Sequence, residues 1–165
     1  MNYKPGLLLC PRSRQMVKYE DVKDKVLHYL NKVLVKAPEV TVESVLTSIQ
    51  KGDSQLWLIT EEDVVGIVVT NLVTYPTTKR LLIHLLGGDG AEDWVHLISE
   101  IEEWSKSKGL DGIEIQGRKG WLKLLPDYSC DRVLMIKEFY ADGRIAFHLG
   151  LIVLKTHQKM VKMSI

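Results

Sequence analysis

The residues of this chain whose types and spacing could do chemistry begin with Gly87-Gly88-Asp89-Gly90. Glycines let another group approach the backbone closely. These follow an apolar strand pattern and precede an amphipathic helix pattern, so they form a candidate ligand-binding corner. Just upstream, His84 lies in the alternating run Leu82-Ile83-His84-Leu85. There a hydrogen-bonded or solvent-facing imidazole is the plain reading and a catalytic base the sharper one. The other histidines (His28, His96, His148, His157) show no metal-ligand spacing, and no metal site is expected. No Gly-x-Ser-x-Gly nucleophile elbow is present. Downstream, Arg118-Lys119-Gly120-Trp121 places two cations beside an indole. Trp121 reads either as a binding element or as a core plug, with Gly117 and Gly120 turning the chain around it. Arg118 is open as a polar-site or interface residue.

The elements that must position these residues follow from periodicity. Tyr19, Val22, Val26, Tyr29, Leu30, Val33 and Leu34 recur at helical spacing, which predicts a helix to about Lys36, stopped by Pro38. Thr41 is placed to cap a second helix that Gly52 ends. Gln55–Thr60, Val64–Val73 and Lys79–Leu86 then read as an antiparallel three-strand meander, with Gly66 marking a bulge or a close backbone approach. Asp89 and Glu92 resemble a capping box for one long third helix. Its stripe of Trp94, Leu97, Ile98, Ile101 and Trp104 points inward, and Gly109 ends it. Gly112–Gln116 is expected as a strand parallel to the third, Trp121–Leu125 as a short helical turn, and Arg132–Phe139 as a last strand. Asp142-Gly143 is a hairpin signal ahead of Arg144–Leu154. The domain reading is an arm over 1–15, one domain over 16–139 and a C-terminal extension over 140–165.

Composition narrows the function classes. The chain has 165 residues, 45% hydrophobic and 26% charged, with a formal net charge of +1. That is an ordinary globular balance, without the field that would draw nucleic acid or a membrane surface. Cys10 and Cys130 read as plain thiols of a reducing compartment. Leu7–Cys10 is too short for a signal segment, and Ile145–Leu154 falls short of the roughly 18 apolar residues of a membrane span. The expectation is a soluble, intracellular product.

Two helices, an antiparallel meander, then glycine corner, helix, strand, short helix and strand is the order of the Gcn5-related N-acetyltransferase (GNAT) fold. The chain resembles that family over about residues 19–139. Leu56-Trp57, Gly66–Thr70, Leu86-Gly87-Gly88 and Gly117-Arg118-Lys119-Gly120-Trp121 with Leu124-Leu125 resemble a divergent GNAT-like group encoded among bacteriophage structural genes. The resemblance implies an α+β fold: a three-layer α/β/α mixed sheet, with the meander followed by a β-α-β crossover.

In the family's enzymes the corner reads Arg/Gln-x-x-Gly-x-Gly/Ala, and its N–H groups at a helix N-terminus hold the pyrophosphate of acetyl-CoA. By that resemblance Gly87, Gly88, Gly90 and Ala91 would be the cofactor-binding residues. The Arg/Gln position falls on Leu85, and Asp89, Glu92 and Asp93 bring three carboxylates to the place a dianion would occupy. The family's thiolate-protonating Tyr has no counterpart on the short helix; Tyr128, beyond Pro126, is the substitute. Glu61, Glu62 and His84 are equal candidates for a base, so the catalytic residues do not carry over. No cofactor is expected, and acetyl-CoA is the one implied if the chain is catalytic. The reading is a phage virion or assembly component acting through other protein chains, in the virion or host cytoplasm. It has no direct nucleic-acid contact and no membrane span. Arg118, Trp121, Phe147, Lys155 and Lys159 are its interface candidates. The alternative is an N-acetyltransferase modifying a host protein or a small amine.

Overall fold

A computed structural model describes residues 7–9, 16–60, 62–132 and 134–137. The chain divides into two units, Met1–Ser129 and Cys130–Ile165. In the first, β1 (Leu7–Leu9) and β2 (Met16–Lys18) precede helices α1 (Tyr19–Leu34) and α2 (Val42–Lys51). The strands β3 (Ser54–Thr60), β4 (Val64–Thr74) and β5 (Lys79–Gly88) follow. Next come α3 (Ala91–Trp94), a 3₁₀ turn over Val95–Leu97, α4 (Ile98–Ser107), β6 (Gly112–Ile115) and α5 (Trp121–Leu124). The six strands form one mixed sheet in the order β2-β1-β3-β4-β5-β6. Residues 7–9 of the expected arm thus lie in the sheet, beside β3.

The sheet is covered on both faces, which is why β3, β4 and β5 read as nearly continuous apolar runs. On one face Leu56, Leu58, Ile67, Val69 and Leu85 pack with Val26, Tyr29, Leu30 and Leu34 of α1 and Val45 of α2. On the other, Trp57, Ile59, Val68, Leu81 and Ile83 pack with Trp94, Ile98 and Ile101. The helix expectations hold where caps are explicit. Thr41 Oγ1 accepts the Ser44 N–H at 3.2 Å while Ser44 Oγ accepts the Thr41 N–H at 3.2 Å, a reciprocal capping box. At the end of α4, Gly109 takes φ +69°, and the Leu110 N–H reaches back to the Ser105 carbonyl at 3.1 Å. That is a Schellman closure, which needs a residue free to adopt the left-handed region.

Four expectations are corrected. Gly87 and Gly88 belong to the β5 ladder, paired with Ile67 and Gly66, and are not loop residues. The single third helix is broken into α3, a 3₁₀ turn and α4, because Trp94, at φ −115°, leaves helical geometry to bury its ring. Asp89 caps nothing: the N-cap of α3 is Gly90, in the left-handed region, with no side-chain cap. In the second unit, residues 130–132 and 134–137 carry no strand, against the one expected over Arg132–Phe139. The hairpin and tail beyond 140, with Phe147, Lys155 and Lys159, lie outside the described residues.

Candidate functional site

The two strands that frame the site are joined at one end and part at the other. β5 and β6 pair in parallel from Arg80–Gly112 to Ile83–Ile115, and the Gln116 N–H closes the ladder on the Ile83 carbonyl at 3.1 Å. The joined end is fastened by side chains. Glu114 accepts from Arg80 at 3.0 Å and from the Tyr75 hydroxyl at 3.0 Å, while Asp111 accepts the Lys79 N–H at 2.8 Å. Beyond Ile83, β5 runs on through His84–Gly88 with no partner in β6. Among the described residues no strand pairs with that edge of β5, and an edge left free is where an extended ligand can add itself.

A bulge sits where the strands part. Val69 pairs with Leu85 and Thr70 with Ile83, which leaves His84 as the extra residue of β5. The insertion reverses the side-chain alternation. Leu81 and Ile83 therefore face the α3–α5 layer, while Leu85 faces α1 and α2. Leu85 is 3% exposed in that core. The position that the family's phosphate-binding pattern gives to Arg or Gln thus holds a buried aliphatic side chain on the far face of the sheet.

The corner's glycines are each required by packing inside the protein. A Cβ on Gly87 would lie 2.5 Å from Val33 Cγ2 of α1. One on Gly88 would lie 2.5 Å from the Val65 carbonyl oxygen, 2.7 Å from Gly66 Cα and 3.2 Å from the Trp94 ring. Gly66 is the matching half of that close approach, next to a second bulge where Val65 is the extra residue. Gly90 stands at φ +63°, which a side chain tolerates poorly.

The corner's polar groups are also engaged. The Asp89 N–H is donated to the Val65 carbonyl at 2.8 Å, and the Asp89 carbonyl accepts Trp94 Nε1 at 2.7 Å. Its carboxylate turns toward α1, accepting from the Tyr29 hydroxyl at 3.0 Å and pairing with Lys32. The Lys32 ammonium, then the Tyr29 hydroxyl, hold this carboxyl below the usual carboxylate range. Asp93 Oδ2 lies 3.0 Å from where a Cβ on Gly90 would stand. A pyrophosphate brought here would be repelled by both carboxylates. These residues do not fit acetyl-CoA in the family's manner.

The remaining candidates are scattered. Tyr128 donates to Glu102 of α4 at 2.8 Å, and burial, reinforced by that carboxylate, pushes its hydroxyl well above its ordinary value. Its proton is committed to a carboxylate, so it is a poor donor to a thiolate. His84 is half-buried at the bulge, and no hydrogen bond among the described residues joins it to Tyr128. Ala91 opens α3, Glu62 is exposed, and Glu61 lies outside the described residues. Trp121 is half-buried against Trp94, ring centroids 6.0 Å apart, while Arg118 is exposed. The two residues that hold the Asp89 carboxylate are Tyr29, part of the helical stripe in the sequence, and Lys32. Nothing local marks their reach to a residue 57 to 60 positions away.

Comparison with known proteins bears on the fold. No protein-family model and no curated protein matches the chain. Solved structures do. A transcriptional regulator from Bacillus halodurans C-125 superposes with TM-score 0.56 at 16% identity, covering 76% of this chain and 97% of that one. An integron cassette protein from the mobile metagenome of Cole Harbour Salt Marsh gives TM-score 0.56 at 13% identity, covering 83% and 92%. The predicted acetyltransferase of Clostridium acetobutylicum, solved with acetyl-CoA, gives 0.55 at 10% identity, covering 73% and 92%. At such identities the similarity is one of fold, and the fold of this chain is GNAT-like: a mixed sheet with helices, as in the acetyltransferase neighbours.

Proposed function

We propose that this chain uses a GNAT-like fold as a platform for protein–protein contacts, without acetyl transfer, as a component of a bacteriophage particle or of its assembly machinery. One observation carries the loss of chemistry: the corner sets the protein's own carboxylates, Asp89 bound to α1 and Asp93 beside Gly90, next to where a pyrophosphate would sit. Leu85 and Tyr128 support it, the first buried away from the corner, the second bonded to Glu102. The phage setting rests on the resemblance of the Gly117–Trp121 and Leu86–Gly88 stretches to proteins encoded among phage structural genes. The arm over 1–15 and the extension over 140–165, with Phe147, Lys155 and Lys159, are the proposed contact segments. Mass spectrometry of purified particles tests the setting. The chain should be present in a fixed ratio to the major particle proteins, and its absence from both particles and assembly intermediates would refute it.

One feature favours the alternative, an acetyl-CoA-dependent N-acetyltransferase. Among the described residues no strand pairs with β5 over His84–Gly88, the kind of edge an extended ligand could line. On that reading the recombinant protein would carry CoA through purification, released on denaturation and detectable by mass spectrometry.

A further inference from the structure

We propose that the turn Arg118–Lys123 is a docking site for an acidic protein segment that carries an apolar anchor; this rests on the protein–protein reading above. Elsewhere on the same unit half of the ten described cations are engaged. Lys25 meets Asp63, Lys32 Asp89, Arg80 Glu114 and Lys106 Glu103, while Lys108 lies over the Trp104 ring. Arg118, Lys119 and Lys123 are exposed, and among the described residues none of them makes an ion pair. Asp127 is the only acidic residue from Gln116 to Ser129.

The turn is amphipathic, and its backbone is closed by its own hydrogen bonds. Trp121 and Leu125 point inward, Trp121 against Trp94 and Leu125 only 9% exposed. Gly117 makes room for this, since a Cβ there would lie 3.0 Å from Trp121 Cδ1. The Trp121, Leu122 and Lys123 N–H groups bond the Arg118, Lys119 and Gly120 carbonyls at 3.1, 3.1 and 3.2 Å. Held this way, Lys119 and Lys123, four apart, share a face with Leu122, which is 39% exposed between them. A patch fixed before binding loses little entropy on docking. Three cations within six residues are too short a stripe to follow a nucleic-acid backbone, and an exposed leucine at their centre has no role against phosphates. Opposite charge around an apolar contact is what an acidic protein segment supplies.

The test uses the full chain and a fluorescein-labelled peptide of glutamates flanking two leucines, followed by fluorescence anisotropy. Saturable binding is expected, weakened at least about tenfold by Arg118→Glu, Lys119→Glu and Lys123→Glu together. Leu122→Ser should weaken it as well, with an unchanged melting temperature. If the triple variant does not fold, Lys123→Gln alone should still weaken binding measurably. No binding by the unaltered chain, equal binding by a folded variant, or tighter binding of a single-stranded oligonucleotide of equal charge would overturn the proposal. Absence of peptide binding together with absence of acetyl-CoA binding removes this docking site alone. Acetyl-CoA binding instead removes the reading beneath it.

Discussion

At the scale of single residues, the corner's chemistry is decided by what already touches it. If Gly88 is glycine because β4 and Trp94 leave no room, Gly88→Ala should destabilise the chain by about 1–3 kcal/mol, the usual range for overpacking. Gly90→Ala should cost about 1–2 kcal/mol through left-handed backbone alone. Urea unfolding measures both without ligand, and unchanged midpoints would mean these glycines are retained for a ligand instead. Two ionisable groups give opposite pH signatures. Asp89 has a lowered folded pKa, so its contribution is present above about pH 4, the unfolded value, and is lost as pH falls through the folded one. Asp89→Asn should flatten the acid limb of stability against pH. Tyr128 has a raised pKa, so its contribution is full below about pH 10 and declines as pH rises beyond it. Tyr128→Phe should cost about 1 kcal/mol at neutral pH and remove that alkaline decline. Identical pH profiles for variant and parent would contradict either assignment.

At the scale of elements, the bulge at His84 matters more than its imidazole. His84 is the extra residue, so Ile83 and Leu85 keep opposite faces by virtue of the bulge and not of the imidazole. His84→Ala keeps the bulge and should cost under about 1 kcal/mol in thermal or urea unfolding; a loss of several kcal/mol would mean that the imidazole itself holds the structure. Elements whose cause is local were legible in the sequence: the Thr41 cap, the Gly52 and Gly109 stops, the meander and the α4 stripe. Those with a distant cause were not. Asp89 and Glu92 have capping-box spacing, but Tyr29 and Lys32 hold the Asp89 carboxylate, and the N-cap of α3 is Gly90. The break after Trp94 follows from where its ring must go between β5 and α5, which period alone does not show. The bulge at His84 was invisible because apolar residues occupy both faces of Leu81–Leu86.

At the scale of the whole molecule, the fold and the chemistry come apart. Helices on both faces of a mixed sheet, with β5 and β6 parallel, make a GNAT-like frame. Fold does not imply function, and the corner that would receive a pyrophosphate holds carboxylates and packed glycines instead. That disagreement was partly legible: Leu85 and the three acids stand out in the sequence, while the engagement of Asp89 and Asp93 required the structure. Among the described residues, no helix is long and apolar enough to cross a membrane. The most direct test of the central claim is isothermal titration of the full-length chain with acetyl-CoA. No saturable heat at millimolar ligand is predicted; a saturable isotherm with one site per chain would contradict it.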